Sequence, residues 1–163
     1  MRGKIESINT SAQKGVKKKP VLEAFINESG IEGDAHSGDW HRQVSFLSCE
    51  SIESFNLKGS INTIPGDFGE NITTRGVDLI GLKVGDAIII RDETPEADGS
   101  KKVILEVTQI GKECVTPCSI YYRVGSCIMP KEGLFCKVLR TGKIRVGNSI
   151  EIKKNYKKKV KHD

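Results

Sequence analysis

Three short segments hold most of the residues able to do chemistry. The first runs from Gly30 to Gly38 (GIEGDAHSG) and continues through His41-Arg42-Gln43-Val44-Ser45. It gathers Gly33, Asp34, His36, His41, Arg42 and Gln43 into a glycine-rich loop that enters a strand. Histidine moves protons near neutral pH or ligates a metal. The planar guanidinium of arginine matches a phosphate or carboxylate. Gly33 and Gly38 let backbone amides come close to a ligand. Taken singly, each is an ordinary surface or core residue. Two of the three histidines within six positions, beside Arg42, make the loop a candidate site.

The second segment is Pro65 to Thr74 (PGDFGENITT). Its proline and glycines read as a loop leading into a strand, with Asn71 as a turn residue. Glu70 and Asn71 are also placed to hold His36 or His41 in one tautomer, a supporting task. The third is Gly111 to Ile120 (GKECVTPCSI), which follows the apolar run Val103–Ile110. Cys114 and Cys118 should therefore project from a loop at a strand end. A lysine placed like Lys112 is expected to lower a neighbouring thiol's pKa and favour the nucleophilic thiolate. Cys127 and Cys136 follow, nine residues apart. Structural zinc normally shows two tight cysteine pairs, so it is the lesser reading. Cys49 and Cys136 read as small buried hydrophobes.

The elements that must position these segments are mostly strands. Lys4–Ile8, Pro20–Ile26, Val44–Leu47, Ala87–Ile90, Val103–Ile110, Leu134–Leu139 and Ser149–Ile152 are Ile- and Val-rich runs bounded by turn formers. Ser48–Leu57 (SCESIESFNL) instead predicts a short helix capped by Ser, with Ile52 and Phe55 on one face. Two phrases echo each other, Leu82–Ile88 (LKVGDAI) and Ile144–Ile150 (IRVGNSI). Each predicts a tight turn at its Gly-Asp or Gly-Asn pair, where one strand reverses into the next. Thr94–Lys101 (TPEADGSK) reads as a polar hairpin tip. Many short strands, Gly-rich turns and few helices imply a closed or nearly closed β-barrel.

The 163 residues suit one domain, able to bury roughly two-thirds of its unfolded surface without a metal or disulfides. No apolar run approaches the roughly 18–20 residues of a membrane span, and MRGKIESINT lacks the apolar core of a secretory signal. A cytoplasmic location with reduced thiols is expected, and five cysteines argue against a complete disulfide framework. The net charge of +5 resides in residues 153–163 (KKNYKKKVKHD), read as a solvated, disordered Lys-rich tail. Residues 1–152 are then a single neutral domain.

Taken in order, GIEGDAHSG, HRQVSFLSCESI, PGDFGENITTRGVDL, LKVGDAIII, LEVTQIGKECVTPCSI and GLFCKVLRTGKIRVGNSI resemble the MOSC domain, named for the C-terminal domain of molybdenum cofactor sulfurases. The resemblance covers residues 1–152 and looks like the stand-alone short bacterial type. It implies a mainly β, barrel-rich fold of the kind also seen in a pyruvate kinase domain, with a few short helices. It further implies a key cysteine at a strand end, in a cleft near the GDAH and GEN loops. Family members are thought to bind the molybdenum cofactor (molybdopterin) or deliver sulfur to it, and in related reductases the cysteine ligates molybdenum. A soft thiolate suits both tasks. The Pro-Cys-x-Ile setting of Cys118 aligns best with the family cysteine; Cys114 is the alternative, although Val115 stands where close relatives carry His.

The resemblance leads to a cofactor-binding or sulfur-carrier domain, with Cys118 as metal ligand or persulfide carrier. Gly33, Asp34, His36, His41, Arg42, Gln43, Glu70, Asn71 and Lys112 would shape its cleft. The expected partners are sulfur donor or acceptor proteins and the cofactor itself. A sulfur transferase or a molybdenum-dependent reductase component is an alternative; the latter needs an electron-supplying partner, since no flavin, haem or iron–sulfur signature is present. A third reading is a non-catalytic binding module with structural zinc. Nucleic-acid binding through the tail is poorly supported, because Tyr156 is the only aromatic in a basic run.

Overall fold

Branched and aromatic side chains pack well on a pleated surface, and alternate residues then face opposite sides. The computed structural model, which describes residues 3–92, 101–111 and 128–156, shows how this chain uses that alternation. Its elements are β1 (Gly3–Thr10), β2 (Lys19–Val21), β3 (Glu23–Asn27), β4 (Gly30–Ile31), β5 (Val44–Ser48), α1 (Cys49–Gly59), β6 (Ile72–Arg75) and β7 (Ala87–Arg91). There follow β8 (Lys102–Ile110), α2 (Met129–Glu132), β9 (Leu134–Arg140), β10 (Gly142–Arg145) and β11 (Ser149–Lys153).

The order β11-β7-β8-β9-β5-β6-β1, with β1 pairing back onto β11, closes seven strands into a barrel. Only β5–β6 is parallel within that ring. β2 pairs with the C-terminal end of β1 (Ile8–Thr10), and β10, β3 and β4 form a separate small sheet. The predicted mainly β barrel with few helices is the fold observed.

Alternation divides the side chains between an inner and an outer layer. Val44 and Phe46, Ile88 and Ile90, Val103, Leu105 and Val107, and Leu134 and Cys136 point into the barrel core. Their neighbours Leu47 and Phe135 point outward and pack beneath α1 with Ile52 and Phe55. Every residue of β5 is therefore buried, with one face in each layer. Each large side chain withdrawn from water contributes about 1.5–3 kcal/mol. The helix starts where expected: Ser48 is the N-cap, its hydroxyl accepting from the Ser51 N–H at 3.1 Å. It ends at Ser60, in the left-handed region at φ 49°.

Most predicted strands are observed within a residue or two, and the larger differences are instructive. The run Pro20–Ile26 breaks at exposed Leu22, because the chain leaves the barrel there and enters the small sheet. Pro20 is tolerated because β2 is an edge strand and needs no N–H on its outer side. The twin phrases do make matching turns. Asp86 N–H bonds to the Lys83 carbonyl while Lys83 N–H bonds back to the Asp86 carboxylate, and Asn148 and Arg145 repeat the exchange. Gly85 (φ 98°) and Gly147 (φ 93°) supply the left-handed residue. They are not hairpins, however, since β10 and β11 belong to different sheets and no described strand leads directly into the first turn. The β7–β8 pairing, Arg91 opposite Lys102, is that of a hairpin whose tip lies outside the described residues.

The basic terminus also differs at its start. β11 runs through Lys153; the Lys154 ammonium reaches the Gly81 carbonyl at 2.6 Å, and the Asn155 N–H bonds to Asp86 at 2.9 Å. Tyr156 packs on Ala87, Ile89 and Ile104. The fold thus extends to Tyr156, and residues 157–163 lie outside the description. No helix among the described residues is long and apolar enough to cross a membrane.

Candidate functional site

The histidine-bearing loop is anchored from below by one buried carboxylate. Asp34 accepts from the Ser11 N–H at 3.1 Å, the His36 N–H at 2.9 Å and the Lys18 ammonium at 2.7 Å. Both members of the Lys18–Asp34 pair are out of solvent, with side chains 1% and 0% exposed. Burial alone would raise the Asp34 pKa. The neighbouring His36 imidazole, the Lys18 ammonium and the two backbone donors outweigh it and hold the carboxyl well below its usual range. Lys18 joins the second motif to the first. Its N–H bonds to the Gly66 carbonyl at 2.9 Å, and a Cβ at Gly66 would sit 2.3 Å from the Lys18 carbonyl oxygen. Only glycine fits there, at φ 94°.

The loop's outer part presses on the ends of β8 and β9. His41 Nε2 lies 2.8 Å from Gln109 Oε1, while the Gln109 amide nitrogen donates to the Gly111 carbonyl at 2.8 Å. That second bond fixes which way the amide points, so Nε2 carries the proton in neutral His41 and Nδ1 keeps its lone pair. The Thr108 hydroxyl donates to the His41 carbonyl. The Arg42 guanidinium lies between two rings, 4.5 Å from the centroid of Trp40 and 5.8 Å from that of Phe135. Trp40 is held by its own N–H, which donates to the His36 carbonyl at 2.7 Å, and Lys14 sits 5.6 Å from its centroid.

Some expected site residues take other tasks. Gln43 spends its whole amide on backbone, donating to Glu28 and Gly38 carbonyls and accepting from the Val138 N–H. Asn71, fully buried, accepts from the Ser45 N–H and hydroxyl and donates to the Asn9 carbonyl. Both fix strand ends beneath the loop. Glu70 does not hold an imidazole: its Oε2 accepts from the Thr73 hydroxyl at 2.8 Å, and burial pushes its carboxyl pKa up. Gly33 stands exposed, at φ 81°, with open space beside its α-carbon. Cys114, Cys118 and Lys112 lie outside the described residues.

The two described cysteines are poor nucleophiles. Burial pushes the Cys49 thiol up to about 11 and that of Cys136 well above its ordinary value. Sequence reasoning missed Lys18, Trp40, Gln109 and Phe135. Lys18 sits in an ordinary Lys-rich run, and Gln109 meets His41 only through strand register. Trp40 was legible as the chain's single tryptophan, within the loop itself.

The site is therefore a cationic, aromatic-walled loop at one end of a closed barrel, beside the strand end that leads into a cysteine-bearing segment. This architecture defines a closed β-barrel domain. Residues 33–151 match the MOSC domain model, and the chain belongs to that family, whose members are associated with molybdenum cofactor-related functions. Solved structures share the fold. The YUAD protein from Bacillus subtilis aligns with a TM-score of 0.76 at 24% identity, covering 93% of this chain and 96% of that one. YiiM from Escherichia coli gives 0.65 at 20%, over 93% and 69%, and YiiM from Geobacillus stearothermophilus 0.66 at 17%, over 98% and 84%. No curated protein matches the chain.

The residues present suit the cofactor the family implies. Arg42 Nε is buried without a hydrogen-bond partner among the described residues, leaving donor capacity for a polar ligand, whereas His36 Nδ1 faces the Asp34 carboxylate at 3.7 Å. Arg42 and Lys14, both held over the Trp40 ring, would meet an anionic phosphate.

Proposed function

We propose that this chain is a molybdenum cofactor-binding or sulfur-carrier domain whose working thiol is Cys118, with Cys114 as the alternative. The observation that carries the reading is the seating of the His41–Arg42 loop on the end of β8. Gln109 bonds both to His41 and to the Gly111 carbonyl, and Cys114 and Cys118 follow Gly111 by three and seven residues. The returning chain is tied to the same place, the Gly111 N–H donating to the Gly133 carbonyl at 2.7 Å. Gly111 and Gly133, on either side of the cysteine-bearing segment in sequence, are thus paired beside the histidine loop.

When bound, the cofactor supplies a molybdenum centre that accepts a soft thiolate ligand, and a phosphate. Arg42 and Lys14 would bind the phosphate. The lone pair on His41 Nδ1 would take the thiol proton, and Lys112 would favour the resulting thiolate. As a sulfur carrier, that thiolate attacks the outer sulfur of a donor protein's cysteine persulfide. One S–S bond forms as the donor's breaks, and the donor leaves as a thiolate.

Intact mass spectrometry after incubation with a persulfide donor tests this directly. One added sulfur atom, removable by reductant and lost in Cys118→Ser, is expected. Loss only in Cys114→Ser moves the role to Cys114; uptake unaffected by either substitution excludes sulfur carriage at this site.

A further inference from the structure

The way β8 meets the histidine loop depends on one extra residue. Along β8, Val103, Leu105 and Val107 point into the barrel core. Strict alternation would send Gln109 inward next, opposite Leu134, a core side chain only 1% exposed. A carboxamide facing that apolar interior would be costly. The pairing with β9 shifts instead. Val107 stands opposite Cys136 and Gln109 opposite Phe135, which leaves Thr108 as the extra residue of a β-bulge. Phe135 packs in the outer layer. The bulge therefore turns Gln109 to the outer side, where its Oε1 meets His41 Nε2 at 2.8 Å.

Thr108 takes hold of the same histidine. Its hydroxyl donates to the His41 carbonyl and also stands 3.2 Å from the Phe135 carbonyl. Threonine has one such proton, so the two carbonyls share it. His41 is exposed, and an exposed side chain ordinarily flips between rotamers within nanoseconds. Here the residue is tied twice, at its carbonyl by Thr108 and at its ring by Gln109, from adjacent positions on one strand. Gln109 is itself held by its bond to the Gly111 carbonyl at 2.8 Å.

We propose that Thr108 is a positioning residue for His41, acting through the bulge it forms and the carbonyl it holds. The inference rests on the reading above of His41 as the group that takes the thiol proton. A base acts only within hydrogen-bond reach of the proton it removes, so a ring held in one place and one tautomer is in position more of the time. Bulges recur beside functional sites for this reason, because they re-aim a side chain. Thr108 takes no proton itself; it touches His41 and Phe135.

The test compares Thr108→Val with Thr108→Ser in the full chain. Valine keeps the branched shape and its strand preference without the hydroxyl, whereas serine keeps the hydroxyl. Imidazole 15N shifts and 13C relaxation of His41 should show a mobile ring of mixed tautomers in Thr108→Val and the wild-type ring in Thr108→Ser. Because both residues act on one ring, Thr108→Val/Gln109→Leu should move the shifts no further than Gln109→Leu alone. Iodoacetamide alkylation of Cys114 and Cys118 at neutral pH, read by peptide mapping, should slow about two- to tenfold in Thr108→Val, the worth of one neutral hydrogen bond. It should recover in Thr108→Ser. An unchanged His41 ring in Thr108→Val, no rescue by serine, or additive shifts in the double variant overturns the proposal. Alkylation that slows in His41→Gln but not in Thr108→Val overturns it too. Alkylation at the wild-type rate in His41→Gln overturns instead the reading of His41 as the base, while the ring shifts separately decide whether Thr108 positions it.

Discussion

Removing either member of the Lys18–Asp34 pair should destabilise the protein far more than an ordinary surface substitution. The two groups are 2.7 Å apart and essentially solvent-free. Lys18→Met leaves a buried carboxylate without its countercharge, and Asp34→Asn leaves a buried ammonium without its own. Breaking a buried pair from one side costs about 3–5 kcal/mol. For a chain of this size, each kcal/mol moves Tm by about 2–4 °C, so each variant should melt roughly 6–20 °C lower. The double variant strands neither charge, and should cost about 1–3 kcal/mol less than the sum of the singles. Urea denaturation followed by circular dichroism reads the barrel, while the fluorescence of Trp40, the single tryptophan, reads the loop that Asp34 anchors. The loop signal should be lost at lower urea than the barrel signal in both single variants.

The pH dependence has a definite sign. The folded Asp34 carboxyl lies below its ordinary value of 3.8, so its stabilisation is fully present above that pH and is lost as pH falls below it. The gap between wild type and Asp34→Asn should narrow below about pH 4. Single variants each costing under about 1 kcal/mol, or a strictly additive double variant, would refute the reasoning.

Other consequences follow from the same contacts. Burial raises the Glu70 pKa above 4.5, so the wild type should lose stability as pH rises through its folded value, while Glu70→Gln does not; denaturation at pH 5 and pH 8 checks this, and the opposite trend would contradict it. Gln109→Leu should release His41 from its single tautomer, visible as a change in its imidazole 15N shifts, whereas unchanged shifts would show that Gln109 does not set it. Iodoacetamide at neutral pH should leave Cys49 and Cys136 unmodified in the native chain, as peptide mapping would show, because both thiols are buried and hold their protons.

The barrel was legible because its strands are short apolar runs punctuated by turn formers, and Ser48 announced the helix in advance. Local chemistry could not reveal where the chain changes sheets. The break at Leu22 lies inside a continuous β-type run, and its cause is the pairing of β3 with β10, which starts 115 residues after β3 ends. The site divided along the same line. His36, His41 and Arg42 stood out by type and spacing. The roles of Gln43 and Asn71 did not, because an amide that satisfies buried backbone looks in sequence like one that awaits a ligand. Lys18 was hidden for the converse reason: a lysine beside two others reads as a solvated charge, and only the fold brings Asp34 to it.

The most direct test of the proposed function is the metal content of protein purified anaerobically from a host that makes molybdenum cofactor. Elemental mass spectrometry should find near-stoichiometric molybdenum, lost in Cys118→Ser and retained in Cys49→Ser. Zinc in its place, lost on mutating Cys114, would contradict cofactor binding and make the cysteines a structural centre.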